Sequence, residues 1–143
     1  MPDEQPQISL ATARAVALAI IFSMCAMTTL GALIAVGMLD MGPPPVDEAR
    51  GRVLRLVFLA VGFATIGMSH VVRSVFDKRA AASADPLRGR YTAVVVAMAL
   101  GETPATLALV NGILTHHTMT TVALGAAAII TGLSHFPRMR TFE

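Results

Sequence analysis

The sequence predicts an all-α fold, a four-helix antiparallel transmembrane bundle. Apolar residues make up 55% of the 143-residue chain and charged residues only 14%, whereas soluble domains average about 25% charged residues. The apolar residues form four long runs, separated by short polar or proline-containing segments. A single membrane domain over residues 1–143 is therefore expected, with spans near 15–39, 53–76, 91–114 and 119–136.

The first two runs are long enough to cross a bilayer. Residues 15–39 contain no charged side chain, and a helix of this length at 1.5 Å per residue covers a hydrocarbon core of about 30 Å. A cleaved signal peptide would have a shorter core, of about 7–15 residues, so we expect the helix to be retained. Arg55 and Arg73 bound the second run, and their side chains can reach the headgroups.

Breaks in the sequence define the third and fourth runs and the loops. Pro43, Pro44 and Pro45 end the first run, because proline lacks a backbone donor and clashes with the preceding turn. Asp85-Pro86 precedes the third run, and the polar segment 115–118 precedes the fourth. Connections this short favour antiparallel neighbours in a bundle.

The basic residues predict the orientation in the membrane. One side of the predicted bundle carries eight of them, and the other side carries only Arg50, Arg52 and Arg55. The eight are Arg14, Arg73, Lys78, Arg79, Arg88, Arg90, Arg138 and Arg140. The positive-inside rule then places both termini in the cytoplasm. We expect the membrane to be the inner membrane of a bacterium. Because these charges lie at helix ends, we expect the lipid bilayer as partner and no nucleic acid.

Small residues recur at helical spacing in three of the spans and predict close packing. The predicted ridges are Ala93, Ala97, Gly101, Ala105, Ala108 and Gly112 in span three; Thr121, Gly125, Ala128 and Gly132 in span four; and Ala60, Ala64, Gly62 and Gly67 in span two. These helix faces would also suit pairing with a second copy or with another membrane protein.

Glu102 is the candidate functional residue, since no other acidic residue lies within a predicted span. Twelve positions from Arg90 place it about 18 Å into the bilayer, where an ionised side chain costs at least a few kcal/mol. We expect Glu102 to face the bundle interior, beside the helix break at Pro104. Thr65 and Thr106 are the candidate supporting groups for an ion held there.

The other polar residues suggest structure more than chemistry. Asn111 is expected to serve packing, and the adjacent His116 and His117 a polar turn. No phosphate-binding, dinucleotide, metalloprotease or Ser-His-Asp motif occurs in the sequence, so we expect no enzyme activity, no catalytic residue, no cofactor and no metal site.

Two resemblances extend this interpretation. The stretch Ala97-Met98-Ala99-Leu100-Gly101-Glu102-Thr103-Pro104-Ala105, after the Asp85-Pro86 loop, resembles the carboxylate-bearing second helix of the rotary ATPase c subunit, the proteolipid. That resemblance implies that Glu102 binds a proton or sodium ion. The segments Gly42–Pro45, Ala99–Glu102 and Phe136–Arg140 resemble uncharacterised bacterial four-span membrane proteins, which implies the same fold and no particular activity.

Two functions therefore stand as hypotheses. The first is a small membrane module without catalysis, which acts as a helix-packing accessory or interaction partner. The second is a proteolipid-like protein that binds a proton or sodium ion through Glu102. Replacement of Glu102 by Gln separates them, because only the second hypothesis needs a titrating carboxyl.

Overall fold

Four helices follow one another in the described part of the chain, and the all-α prediction is confirmed. The computed structural model describes residues 9–41 and 44–137. Helix α1 spans Leu10–Ala35, α2 Glu48–Ala81, α3 Pro86–Thr115 and α4 Thr118–Ser134. Gly42, Pro43, Arg138 and Arg140, on which loop and charge predictions rest, lie outside the described residues.

Side-chain caps set where three helices begin. The side chains of Ser9, Asp47 and Asp85 accept hydrogen bonds from the backbone N–H three residues later, at 3.0–3.1 Å. Such caps satisfy donors that have no partner inside the helix. Because α1, α2 and α3 begin at these caps, each starts about five residues before its predicted apolar span.

The helix ends differ from the predicted spans for physical reasons. Helix α1 ends at Ala35 instead of residue 39, because Gly37 takes a φ of 74° and the N–H groups of Gly37 and Met38 turn back to Ile34 and Leu33. This is the Schellman arrangement, which favours glycine. Helix α2 continues to Ala81, past the predicted residue 76, because charged residues end an apolar run without ending a helix.

Helix α3 lies at the centre of the bundle and contacts each of the other three helices, whereas α1 and α2 make almost no contact with each other. The contacts fix the directions. Ser23 meets Glu102 and Met27 meets Thr106, so α1 and α3 are parallel. Helices α2 and α4 run the opposite way, since Ala80 lies against Gly89 and Asn111 bonds Thr121.

Small residues let the backbones of α1, α3 and α4 approach closely. A Cβ on Gly112 would collide with the backbone of Gly31, and a Cβ on Gly31 would lie 2.9 Å from the Cα of Leu109. A Cβ on Gly125 would collide with the side chain of Thr28. Every residue of the ridges predicted in spans three and four is buried, as expected.

The ridge predicted in span two is wrong in three of its four residues. Ala60, Ala64 and Gly67 are exposed, and only Gly62 is buried, against Leu124 and Pro104. Helix α2 packs extensively on α3 as expected, but through a different face, and α1 also packs against α3 and α4, with Ala17 and Met24 buried there. Small residues at helical spacing indicate where a close approach is allowed, but they do not name the helix that makes it.

Among residues 9–41 and 44–137, three helices are long and apolar enough to cross a membrane: α1 with 26 residues, α2 with 34 and α3 with 30. Helix α4 is apolar but has 17 residues, slightly fewer than the roughly 20 that a straight span needs. Many large apolar side chains lie on the outside, including Phe22, Phe63 and Ile130. An exterior of this kind is typical of a protein surrounded by lipid.

Candidate functional site

Glu102 lies on α3 at its seam with α1, where it has one hydrogen-bond partner in the described residues. The Ser23 hydroxyl donates to Glu102 Oε1 at 2.6 Å, within the usual range of O–H···O hydrogen bonds. Both side chains are half-buried. The expectation that Glu102 faces the bundle interior is met in part, because its side chain turns to α1 across a helix seam and the residue stays partly exposed.

The two predicted supporting threonines use their hydroxyl protons elsewhere. Thr65 Oγ1 donates to the carbonyl of Gly62 at 2.8 Å, within its own helix. Thr106 Oγ1 donates to Met27 Sδ at 3.6 Å, one turn beyond the Glu102–Ser23 pair. Ser23, which the sequence did not single out, is the residue that reaches the carboxyl. Helices α1 and α3 keep a constant offset along the chain, and knowledge of that offset would have identified Ser23.

Pro104 does not interrupt α3, which is continuous from Pro86 to Thr115. The ring is buried, and its Cβ would lie 3.6 Å from a Cβ built on Gly62. Pro104 therefore serves mainly the contact between α3 and α2. Glu102 has its partner on α1, so the two residues act on different sides of the same helix.

One stripe of α3 is only partly covered by the bundle, because α1 reaches its edge through Ser23, Met27 and Gly31. Its residues are exposed or half-buried and follow the alternating three- and four-residue spacing of a heptad seam. We call this stripe the open face of α3; it consists of Thr92, Val95, Ala99, Glu102, Thr106, Leu109 and Ile113. The face is open because α1 and α2 flank α3 without meeting each other. Such a spacing suits packing against a further helix.

A second polar cluster, which no sequence motif indicated, joins the end of α4 to α2. His135 is only 4% exposed, and its Nε2 lies 3.1 Å from the Ser69 hydroxyl. The His70 ring lies 4.6 Å from the His135 ring, between centroids. Arg73 donates to the His135 carbonyl at 3.3 Å and to Asp77 at 2.8 Å. These contacts hold the last residue of the α4 turn against α2.

The hydrogen bonds assign the tautomer of His135. The Ser69 hydroxyl donates its single proton to the Ile66 carbonyl at 2.8 Å, so Nε2 of His135 carries the proton and donates to Ser69. Burial, reinforced by the neighbouring His70 and Arg73, lowers the pKa of His135 to about 4. His135 lies just beyond α4 and is neutral at physiological pH, in the Nε2–H tautomer that donates to Ser69. The role of this cluster is therefore structural. We call it the His135 latch; it consists of Ser69, His70, Arg73, Asp77 and His135.

The remaining predicted polar residues have structural roles. Asn111 is fully buried, and its amide donates to Thr121 Oγ1 at 2.9 Å and to the His117 carbonyl at 3.2 Å, closing the turn between α3 and α4. His116 ends α3 in the left-handed conformation, with φ 50°. His117 caps α4, because its Nδ1 accepts from the Thr120 N–H. The packing role of Asn111 and the polar turn are confirmed.

Within residues 9–41 and 44–137, no three histidine, cysteine or acidic side chains lie together as a metal site would require. Comparison with known proteins gives no match: no family model, no curated protein and no solved structure resembles the chain significantly. The likeness to the proteolipid and to bacterial four-span proteins therefore stays a prediction.

Proposed function

We propose that this chain is a small integral membrane interaction module that associates with a second copy of itself through the open face of α3. It crosses a bacterial inner membrane four times, with both termini in the cytoplasm. The observation that carries the proposal is Glu102, a half-buried carboxyl in the middle of an apolar helix, on a face that the bundle covers only along its α1 edge. Lipid cannot hydrogen-bond such a group, so a protein partner is favoured there.

The short helix α4 fits a fourth crossing. Only two residues separate it from α3, and it packs antiparallel to α3 along its length. Its 17 residues rise about 25 Å at 1.5 Å per residue, a modest mismatch of the kind that local thinning of the bilayer accommodates. If α3 crosses the membrane, α4 returns beside it.

A second copy is the partner that the open face suits best. Thr92, Ala99 and Thr106 repeat every seven residues and are small, which allows two α3 helices to approach closely. A single polar residue in such a seam fixes the register of the pair. A protonated carboxyl is both donor and acceptor, so Glu102 of one copy can satisfy Glu102 of the other across a two-fold axis.

Substitution of Glu102 tests this function. Glu102→Gln keeps a donor and an acceptor, so we expect self-association in liposomes to stay within about twofold of wild type. Glu102→Leu removes both, and one or two interhelical hydrogen bonds in a membrane contribute about 1–2 kcal/mol, so association should weaken by about tenfold. Energy transfer between labelled copies, measured while lipid dilutes the protein, gives both values. Unchanged association of the Leu variant would contradict the proposal.

The contact between Ser23 and Glu102 also favours the second candidate function, binding of a proton or sodium ion by Glu102. A hydroxyl at 2.6 Å can stabilise a carboxylate, and the open face gives small reagents a route to it. This function predicts that a hydrophobic carbodiimide labels Glu102 in native membranes, that labelling falls as pH rises, and that sodium ions protect the site. Glu102→Gln is the unlabelled control. Labelling that does not change with pH or sodium would argue against ion binding.

A further inference from the structure

A shallow cavity, largely open to the outside, lies between α2 and α3, near the loop that joins them. Its volume is about 250 Å³, and it is lined by Phe76, Arg79, Ala80, Ser83, Gly89 and Thr92. It is bounded on the loop side by a close helix contact, since a Cβ on Gly89 would lie 2.6 Å from the Cβ of Ala80. At its other end, Thr92 begins the open face of α3.

We propose that this cavity binds the headgroup end of an anionic phospholipid. Its walls are mostly apolar, from Phe76, Ala80 and Gly89, and these residues suit glycerol and the first methylene groups of an acyl chain. Its one cationic lining residue is Arg79, which is exposed and forms no ion pair within the described part of the chain. A guanidinium binds phosphate oxygens in a two-pronged arrangement that matches its donors.

The cavity lies at the depth at which a lipid headgroup is found. Arg73 ends the uncharged stretch of α2, and Tyr91 begins that of α3. The cavity spans the helical turns just beyond these points, a zone that corresponds to the polar layer outside the hydrocarbon core. The segment from Arg73 to Arg90 holds five basic and two acidic residues, a net charge of +3, which draws anionic lipid to this side of the membrane.

The donors available in the cavity predict the selectivity of the site. The Ser83 hydroxyl donates to the Ala80 carbonyl at 2.9 Å, and the Thr92 hydroxyl donates to the Arg88 carbonyl at 3.0 Å. Both protons are therefore already used, and Arg79 is the donor left for the phosphate. The site should recognise negative charge without reading the rest of the headgroup, so phosphatidylglycerol and phosphatidic acid should bind alike and phosphatidylcholine should not.

A matched pair of variants tests the site. Arg79→Gln removes the cation that lines the cavity, and Lys78→Gln removes an equal charge from the adjacent exposed residue, which does not line it. Native mass spectrometry of the detergent-solubilised full chain, titrated with phosphatidylglycerol, gives the affinity per protomer. We expect a loss of about tenfold for Arg79→Gln, the equivalent of one charge-assisted hydrogen bond, and a change within about twofold for Lys78→Gln.

Three results would overturn the site: equal losses in the two variants, equal binding of phosphatidylcholine, or displacement of the lipid by inorganic phosphate at similar concentration. The last would mean that a free phosphate and not a lipid is bound. The inference rests on the membrane embedding proposed above, but not on self-association. Glu102→Leu should separate the copies and leave lipid binding per protomer unchanged, so failure of either proposal can be told from failure of the other.

Discussion

The two faces of α3 differ in the size and polarity of their residues and in how far the bundle buries them. The buried face, with Gly101, Ala105, Ala108 and Gly112, is made of small residues that let α1 and α4 approach closely. The open face carries the hydroxyls of Thr92 and Thr106 and the carboxyl of Glu102, and the bundle covers it only in part. The buried face is therefore sensitive to volume and the open face to polarity. Added volume on the buried face should therefore unfold a protomer, whereas loss of a polar group on the open face should only separate protomers.

We expect the largest loss of stability when a side chain is added at the closest helix contact of the buried face. Gly112→Leu forces the backbones of Gly112 and Gly31 apart, and we expect it to lower the free energy of unfolding by at least about 4 kcal/mol, at the upper end of the cost of overpacking. A detergent titration that unfolds the protein measures this loss in the free energy of unfolding. Gly67→Leu is the matched control, because nothing lies within 4 Å of a Cβ there. Similar losses in both variants would contradict the assigned packing.

The His135 latch should make the stability of the protomer depend on pH. Because the folded protein lowers the pKa of His135 from 6.5 to about 4, the unfolded chain binds more protons between these values. Stability is then full above pH 6.5 and falls as the pH decreases toward 4, by about 3 kcal/mol in total. Unfolding at a series of pH values measures the loss.

Two variants separate the latch from other titrating groups. His135→Gln keeps a side-chain donor near the position of Nε2 and cannot titrate, so most of the pH-dependent loss should disappear. His70→Gln removes only a neighbouring charge that contributes to the lowered pKa, so most of the loss should persist. An unchanged pH profile in His135→Gln would show that the latch does not govern acid stability.

The smallest effect on the protomer is expected on the open face. Thr106→Val keeps the shape of the side chain and removes the weak hydrogen bond to Met27 Sδ. We expect the free energy of unfolding to change by less than about 0.5 kcal/mol, as is usual for exposed substitutions. A cost near 2 kcal/mol, measured in the same detergent titration, would mean that this face is part of the core of the protomer.

The sequence predicted the number, order and class of the helices because long apolar runs and prolines depend on local composition. It placed the ridges of α3 and α4 correctly, since their small residues have to be buried wherever the neighbours lie. It did not identify Ser23 as the partner of Glu102 or Ser69 as the partner of His135. Those pairs depend on the offset between helices distant in sequence, which packing of the whole bundle determines.

The spacing of small residues also led to one wrong prediction, which concerns α2. Ala60, Ala64 and Gly67 of α2 have the same spacing as the buried ridges, yet they are exposed. Helix α2 instead contacts α3 through Gly62 and the Ala80–Gly89 contact, and α4 through the His135 latch. Periodicity identified a face capable of close packing, but α2 packs through a different face.

The most direct test of self-association is disulfide formation in native membranes. Cys25 is the single cysteine of the chain, so Cys25→Ser gives a background in which Ala99→Cys on the open face can be compared with Ala64→Cys, equally exposed on the outer side of α2. We expect oxidation to link two copies through residue 99 and not through residue 64. Equal linkage at both positions, or linkage only at residue 64, would contradict pairing through the open face of α3.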